Sequence, residues 1–407
     1  MHETETFEKL LNVRKPWFIS DIDIDQKELV VTLTLDIDIS VCKCPQCGKK
    51  AKIYDKRHRT WRHLDTMEFK TVIAADIPRV QCPVHGVVQL EVPWAEALSR
   101  YTLKFETLII DWLQETSVSA VARNFDMSWN AVDGIMKRAV ERGLNRRKIK
   151  DPKNISVNET AFQRRHEYVT VVTDQSNGEV LFIADDRKKE SLEQYYKSIG
   201  SEALKGIESV SMDMWPAYIN VTKAYVPDAE NKICFDKFHC AQYLGNAVDK
   251  VRREENKELT KNGNDILIGS RYLWLRNPEN MDKIANKAFK EIRDSSLKTA
   301  TAWAVKEHAM CLWHYSSRTW ANKQWMNWYN WAMETALTPV QQAATTIKNN
   351  LWGIINAIVI KKTNAHAESM NSRIQSIKTK ARGFRNRDRF KMAVYFHCAK
   401  LDLYPNI

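Results

Sequence analysis

The chain has 407 residues, more than one hydrophobic core usually serves, so two to four domains are expected. A formal net charge of +12 points to an anionic partner, and nucleic acid fits that charge better than an acidic membrane surface. No stretch reaches the roughly 18 apolar residues of a membrane span, and MHETETFEKLLNV lacks the basic-then-apolar layout of a secretion signal, so a soluble, cytoplasmic protein is expected.

Residues 17–40 alternate apolar and polar side chains, with VVTLTLDI the clearest strand, and short β-type runs continue through 52–95. Cys42, Cys44 and Cys47 crowd into six positions, a metal-site spacing rather than a disulfide framework. Cys44-Pro-Gln-Cys47 and Cys82-Pro-Val-His85 form two knuckles, and each can point two ligands at one tetrahedral zinc ion. Cys42 is a competing ligand, and Gly48 and Gly86 fit the tight turns after each knuckle. Residues 1–100 therefore read as a β-rich, zinc-stapled DNA-binding module.

From Leu103 to Gly143 apolar residues recur at helical spacing, broken near 115–117 and 126–128. Ser117 and Ser128 can cap successive helices around an Asp126-Met127 turn, which makes residues 101–150 a helix-turn-helix candidate. Trp129 and Asn130 would open the recognition helix at base edges. Lys137, Arg138, Arg142, Arg146 and Arg147 would hold phosphates.

Strands return at 154–186, where Asn177-Gly178 predicts a tight type I′ hairpin with positive φ at both central residues. Helices and strands then alternate to 240, an α/β pattern. Residues 239–353 look helical and hold eight of the fourteen tryptophans, a composition more typical of helix packing than of base stacking. Between Lys361 and Lys391 ten Lys/Arg face only Glu368 and Asp388. Arg373, Lys378, Lys380, Arg382 and Arg385 in this tail are candidate DNA-backbone contacts.

Four ordered blocks, ISVNETAFQRRHEYVTVVTD, ESVSMDMWPAYINV, ICFDKFHCAQYLGNAVDKVRR and NAHAESMNSRIQSIKTKARGFRNRDRF, together with the knuckles, resemble the ISL3 family of insertion-sequence transposases over nearly the whole chain. The resemblance implies a multi-domain α/β protein: an RNase H-like catalytic domain in two parts (151–240 and 356–407) around a helical insertion (241–355). It also implies a bacterial, nucleoid-associated DNA transposase that binds terminal inverted repeats as a homodimer and cuts and joins DNA ends with Mg2+ or Mn2+. Three acids would hold those ions: position 158, Asp213 and Glu368. Two ions about 3.5–4 Å apart would stabilise the attacking and leaving oxygens of each in-line displacement. Hard cations of this kind need oxygen ligands.

Position 158 departs from the family pattern, since Asn158 stands where the motif has Asp. An amide is neutral and offers one oxygen, so metal affinity and turnover should both fall. A deliberate change, a decayed copy, or rescue by Glu159 would each account for it, although adjacent strand residues face opposite ways. Asp236 and His239 form a D-x2-H motif that could orient a phosphate or the carboxylates, and His366 and Asn371 flank Glu368. Two other classes stay open: a sequence-specific DNA-binding regulator without catalysis, and a nuclease that cuts without joining.

Overall fold

The computed structural model describes residues 3–148, 151–163, 167–276, 278–295, 297–361 and 365–406. They form two compact units, residues 1–147 with 401–407, and residues 148–400.

The first unit opens with α1 (Glu3–Leu11) and a five-stranded sheet of β1 (Trp17–Asp25), β2 (Val30–Ile37), β3 (Lys52–Arg62), β4 (Lys70–Cys82) and β5 (Gly86–Gln89). The spatial order is β1-β2-β4-β3, with β5 pairing β4. On β2 the alternation foreseen from VVTLTLDI buries every second residue, so Val31, Leu33, Leu35 and Ile37 enter the core. Trp61, Ile73 and Ile77 join them, and Trp94 meets Trp17 and Trp61 edge to face at 4.8 and 5.5 Å.

Three helices follow: α2 (Leu103–Glu115), α3 (Val118–Asn124) and α4 (Trp129–Arg146). Each begins at a hydroxyl cap, with Thr102, Ser117 and Ser128 accepting from the backbone amides of Phe105, Ala120 and Ala131. Asp126 takes a left-handed φ of 52° in the turn before α4. The segment from Leu401 packs back onto α4, and the approach needs Gly143, because a Cβ there would lie 2.6 Å from Leu401 Cβ.

The second unit carries a mixed sheet of β6 (Asn154–Gln163), β7 (Glu167–Asp174), β8 (Glu179–Asp185), β9 (Ser209–Met212) and β10 (Ile233–Phe235), ordered β10-β9-β6-β7-β8. The first three strands are antiparallel neighbours, whereas β9 and β10 run parallel to β6. Three helices connect the strands: α5 (Lys189–Gly206), α6 (Pro216–Tyr225) and α7 (Ala229–Lys232). The β7–β8 turn corrects the type I′ expectation. Of the loop residues only Gly178 has positive φ, because the Asp174 carboxylate accepts from Ser176 N at 2.7 Å and Asn177 Nδ2 at 2.9 Å, closing a longer, capped loop.

Helices then run from α8 (Lys237–Lys261) through α9 (Arg271–Leu275), α10 (Lys283–Arg293), α11 (Lys298–Cys311), α12 (Arg318–Glu334) and α13 (Thr338–Asn349) to α14 (Leu351–Ile360). Trp274, Trp325 and Trp328 are fully buried and Trp303, Trp313, Trp331 and Trp352 pack against the same core, so packing explains seven of the eight tryptophans; Trp320 alone of these is largely exposed. Helix α14 touches the sheet closely, since a Cβ on Gly353 would sit 2.5 Å from the Phe235 ring. Buried Asn356 fixes that contact by donating to the carbonyls of Glu230 and Ile233 at 2.7 and 2.9 Å. Helices α15 (Ala365–Lys380) and α16 (Arg387–Cys398) close the unit. No helix among the described residues is long and apolar enough to cross a membrane.

Candidate active site and metal centre

Parallel strands deliver their C-terminal residues to one edge of a sheet, and two acids leave that edge together. Asp213 directly follows β9 and Asp236 directly follows β10. The Asp236 side chain is 4% exposed and caps α8 by accepting from Phe238 N at 3.0 Å. In the first turn of α8, His239 lies between the two acids, its Nδ1 3.5 Å from Asp236 and its Nε2 3.8 Å from Asp213. These are ion-pair distances rather than well-aligned hydrogen bonds. Burial by itself would lower the His239 pKa, but contact with Asp236 and the charges of Asp213, Asp236 and Glu159 outweigh it, and the net direction is upward.

Asn158 sits on β6, half-buried, opposite Val171 of β7. Alternation places it on the sheet face of Ser156 and Thr160, while Ile155 and Val157 enter the core on the other face. Thr160 Oγ1 donates to Asn371 Oδ1 of α15 at 2.9 Å, so the Asn158 face is the one α15 approaches. The Asn158 amide makes no hydrogen bond among the described residues. Glu368 and His366 belong to the first turn of α15, but their side chains lie outside the described part of the structure.

Glu159 is closer to the acids than the alternation argument allowed. Its carboxylate is 3.5 Å from Arg187 and within electrostatic reach of Asp213 and His239. Burial raises its pKa, Arg187 opposes that rise, and the Asp213 charge adds to it. The alternation itself holds on β6, but Asp213 lies beyond the end of β9, where strand faces no longer sort side chains. Arg187 was not foreseen. Its guanidinium lies over the rings of Tyr168 at 5.1 Å and Trp215 at 5.0 Å, residues of two separate sequence blocks for which no shared partner was expected.

Several cations read as DNA contacts have internal partners. Arg138 and Arg142 both pair with Glu106, whose side chain is 1% exposed, and Arg142 also reaches Glu96 and the Leu403 carbonyl. Arg146 binds Asp402 at 3.0 Å and Asn406 at 2.7 Å, holding the C-terminal residues. The carboxylate of Glu106, buried under α4, thus engages Arg138 and Arg142, while Arg146 is engaged by Asp402 and Asn406. Trp129, Asn130 and Lys137 are exposed on α4, and Arg147 is half-buried at its end. In the tail, Lys378 is likewise committed, donating to the Ala161 carbonyl at 2.6 Å, with burial lowering its pKa. Arg373 donates to the His397 carbonyl at 2.8 Å, and Lys380, Arg382 and Arg385 are exposed.

The zinc knuckles do converge. Donor atoms of Cys44, Cys47, Cys82 and His85 all lie within 4.8 Å of one another. Cys44 Sγ and Cys82 Sγ are each 3.6 Å from His85 Nδ1, and the Cys47 and Cys82 sulfurs are 3.7 Å apart. A tetrahedron with Zn–S bonds of about 2.3 Å has edges of about 3.7 Å, so the donor set fits zinc. Backbone amides of His85 and Val84 bring the Cys82 pKa down to about 6, favouring the ligating thiolate. Cys42 is buried in the sheet core and is not part of this group.

Comparison with known proteins agrees with this arrangement. The model of the ISL3 transposase family, described as transposase, matches residues 155–394. The helix-turn-helix domain of transposase family ISL3 matches 90–140, and the zinc-finger of transposases IS204/IS1001/IS1096/IS1165 matches 40–85. The transposase for insertion sequence element IS1001 of Bordetella parapertussis is 27% identical over 356 residues, covering 86% of this chain and 87% of its own. That for IS1557 of Mycobacterium tuberculosis is 26% identical over 420 residues, covering 95% and 93%. With its zinc ribbon, helix-turn-helix and α/β unit all matched, the chain belongs to the ISL3 family of insertion-sequence transposases.

Proposed function

We propose that this chain binds the terminal inverted repeats of its own insertion sequence and that its second unit is an RNase H-like catalytic domain interrupted by a helical insertion, disarmed at Asn158. The observation that carries the reading is the position of Asn158: on the central strand β6, on the face that α15 approaches at the Thr160–Asn371 bond, and next to β9, which Asp213 directly follows. The strand order, with three antiparallel strands followed by two parallel ones, supports the same assignment.

Asp213 and Glu368 would hold Mg2+ or Mn2+, with the Asn158 oxygen as the remaining and weakest donor. The half-exposed Asp213 carboxylate suits a hard cation. When bound, such ions stabilise the attacking and leaving oxygens of a phosphodiester displacement. The chain's own residues set the site around them. Asp236 caps α8 and fixes His239, whose raised pKa favours an imidazolium able to donate to a phosphate oxygen. Arg187, held by Tyr168 and Trp215, adds a positive charge at Glu159. Pairing of two element ends calls for a homodimer on DNA.

A joining assay separates this reading from a simple nuclease. Given pre-cut ends of its element, a target plasmid and magnesium, the Asn158→Asp variant should insert those ends. Cutting without insertion would favour a nuclease, and tight binding with neither activity would favour a DNA-binding regulator.

A further inference from the structure

Arg187 is held more firmly than a surface arginine ordinarily is. It follows β8 by way of a left-handed turn at Asp186, whose φ is 60°. Two bonds tie that turn to the neighbouring strand β7: Asp186 N donates to the Tyr168 carbonyl at 3.0 Å, and Thr170 Oγ1 donates to the Asp186 carbonyl at 2.6 Å. The guanidinium itself is restrained by the rings of Tyr168 and Trp215, both within cation–π range.

Most of its hydrogen-bonding capacity is nevertheless unused. The side chain is 46% exposed, and a guanidinium carries five N–H donors. Among the described residues the one acceptor it meets is Glu159, a single long contact at 3.5 Å. Arg142, by contrast, engages Glu96, Glu106 and the Leu403 carbonyl. The acids nearest Arg187 in sequence serve other cations: Asp185 meets Lys391 at 3.1 Å, and Asp186 meets Arg387 and Lys188 at 3.5 Å. Neutralising Glu159 does not account for Arg187 either, since the Glu159 pKa stays raised by burial despite the pair. The location gives the spare donors a use. Trp215 is two residues beyond Asp213, and Glu159 feels the charges of Asp213 and His239, so Arg187 borders the acidic cluster.

We infer that Arg187 contacts the DNA strand being cut: its planar fork takes two oxygens of one backbone phosphate, at the bond being broken or one nucleotide from it. The inference rests on the transposase reading above and adds a residue to its site. The fork matches the spacing of two phosphate oxygens, which a point charge such as lysine does not. A guanidinium already restrained by two rings also loses little freedom when the phosphate arrives.

The test is a double-mutant cycle between protein and DNA, read as equilibrium binding of the zinc-loaded full chain to a labelled duplex carrying the repeat that flanks its coding sequence. Magnesium is present, and Asn158 keeps cleavage slow. Three further duplexes each replace one phosphate, at the cut or one nucleotide to either side, with an uncharged methylphosphonate. One of the three should weaken binding by the parent chain about tenfold, the cost of one charge-assisted contact. Arg187→Gln should bind the natural duplex about tenfold more weakly, and on that variant the same methylphosphonate should cost nothing further. Adding Glu159→Gln to Arg187→Gln should leave the loss in place. No loss at any of the three phosphates, or additive losses, would overturn the inference. So would recovery of parent affinity in the double variant, which would mean that Arg187 only neutralises Glu159. If Arg187→Gln does not fold, Arg187→Lys replaces it, with the coupling expected to fall at least about threefold because the fork is lost. A parent chain that binds no repeat duplex would overturn both this inference and the terminal-repeat reading.

Discussion

Arg142 Nη2 lies 3.4 Å from Glu106 Oε2, an ion pair between α4 and α2 in which the carboxylate side chain is 1% exposed and the guanidinium 9%. Arg138 shares the same carboxylate, and Ser99 donates to it at 2.9 Å. Removing Glu106 would strand two partly buried guanidinium groups. Glu106→Ala should therefore destabilise the first unit by about 3–5 kcal/mol, measured by urea unfolding. A loss below about 1 kcal/mol would mean the pair contributes little, and that Arg138 and Arg142 are available to DNA after all.

Zinc binding discriminates between the four converging donors and Cys42. Cys47→Ser should lose the metal, read as zinc per chain by atomic absorption, and should disorder the β3–β5 hairpins. Cys42→Ser should retain zinc and destabilise the core by about 1–3 kcal/mol, because it buries a hydroxyl among apolar side chains. The opposite pattern of zinc retention would contradict the assigned ligand set.

Acid should weaken the first unit through His63. This side chain is 7% exposed and bonds Thr102, the cap of α2, at 2.8 Å. Burial, reinforced by Lys104 and Arg62, holds its pKa at about 4 against the ordinary 6.5. The unfolded chain thus takes up a proton that the folded chain refuses. Stability is intact above about pH 6.5 and declines as pH falls toward about 4. Between pH 7 and pH 5 the loss should be about 2 kcal/mol. His63→Gln should flatten this part of the profile in thermal unfolding. An unchanged profile would show that His63 is not the group responsible.

The elements with strong local signals were readable in the sequence. Alternation marked β2, serine caps marked α3 and α4, and the doubled knuckle marked the zinc ligands, because each signal depends only on residues close in the chain. What the sequence concealed depends on long-range pairing. Nothing near Arg142 signals that Glu106 would be buried beneath it, and nothing near Arg187 signals the rings of Tyr168 and Trp215. The Asn177-Gly178 pair misled for a local reason, since Asp174 caps the loop and a single left-handed glycine is enough. For the candidate site, Asp213, Asp236 and His239 were named in advance, whereas the reach of Glu159 toward them required knowing where β9 ends.

The most direct test of the central claim is cleavage of a labelled duplex carrying the inverted repeat that flanks this chain's own coding sequence, with magnesium present. Three proteins are compared: the chain itself, Asn158→Asp, and Asn158→Asp combined with Glu368→Gln. The account predicts cutting at the repeat end by Asn158→Asp alone, with the other two at least about a hundredfold slower, as expected when a metal-holding carboxylate is missing. Equal cleavage by all three, or none by Asn158→Asp while all bind the repeat tightly, would contradict it.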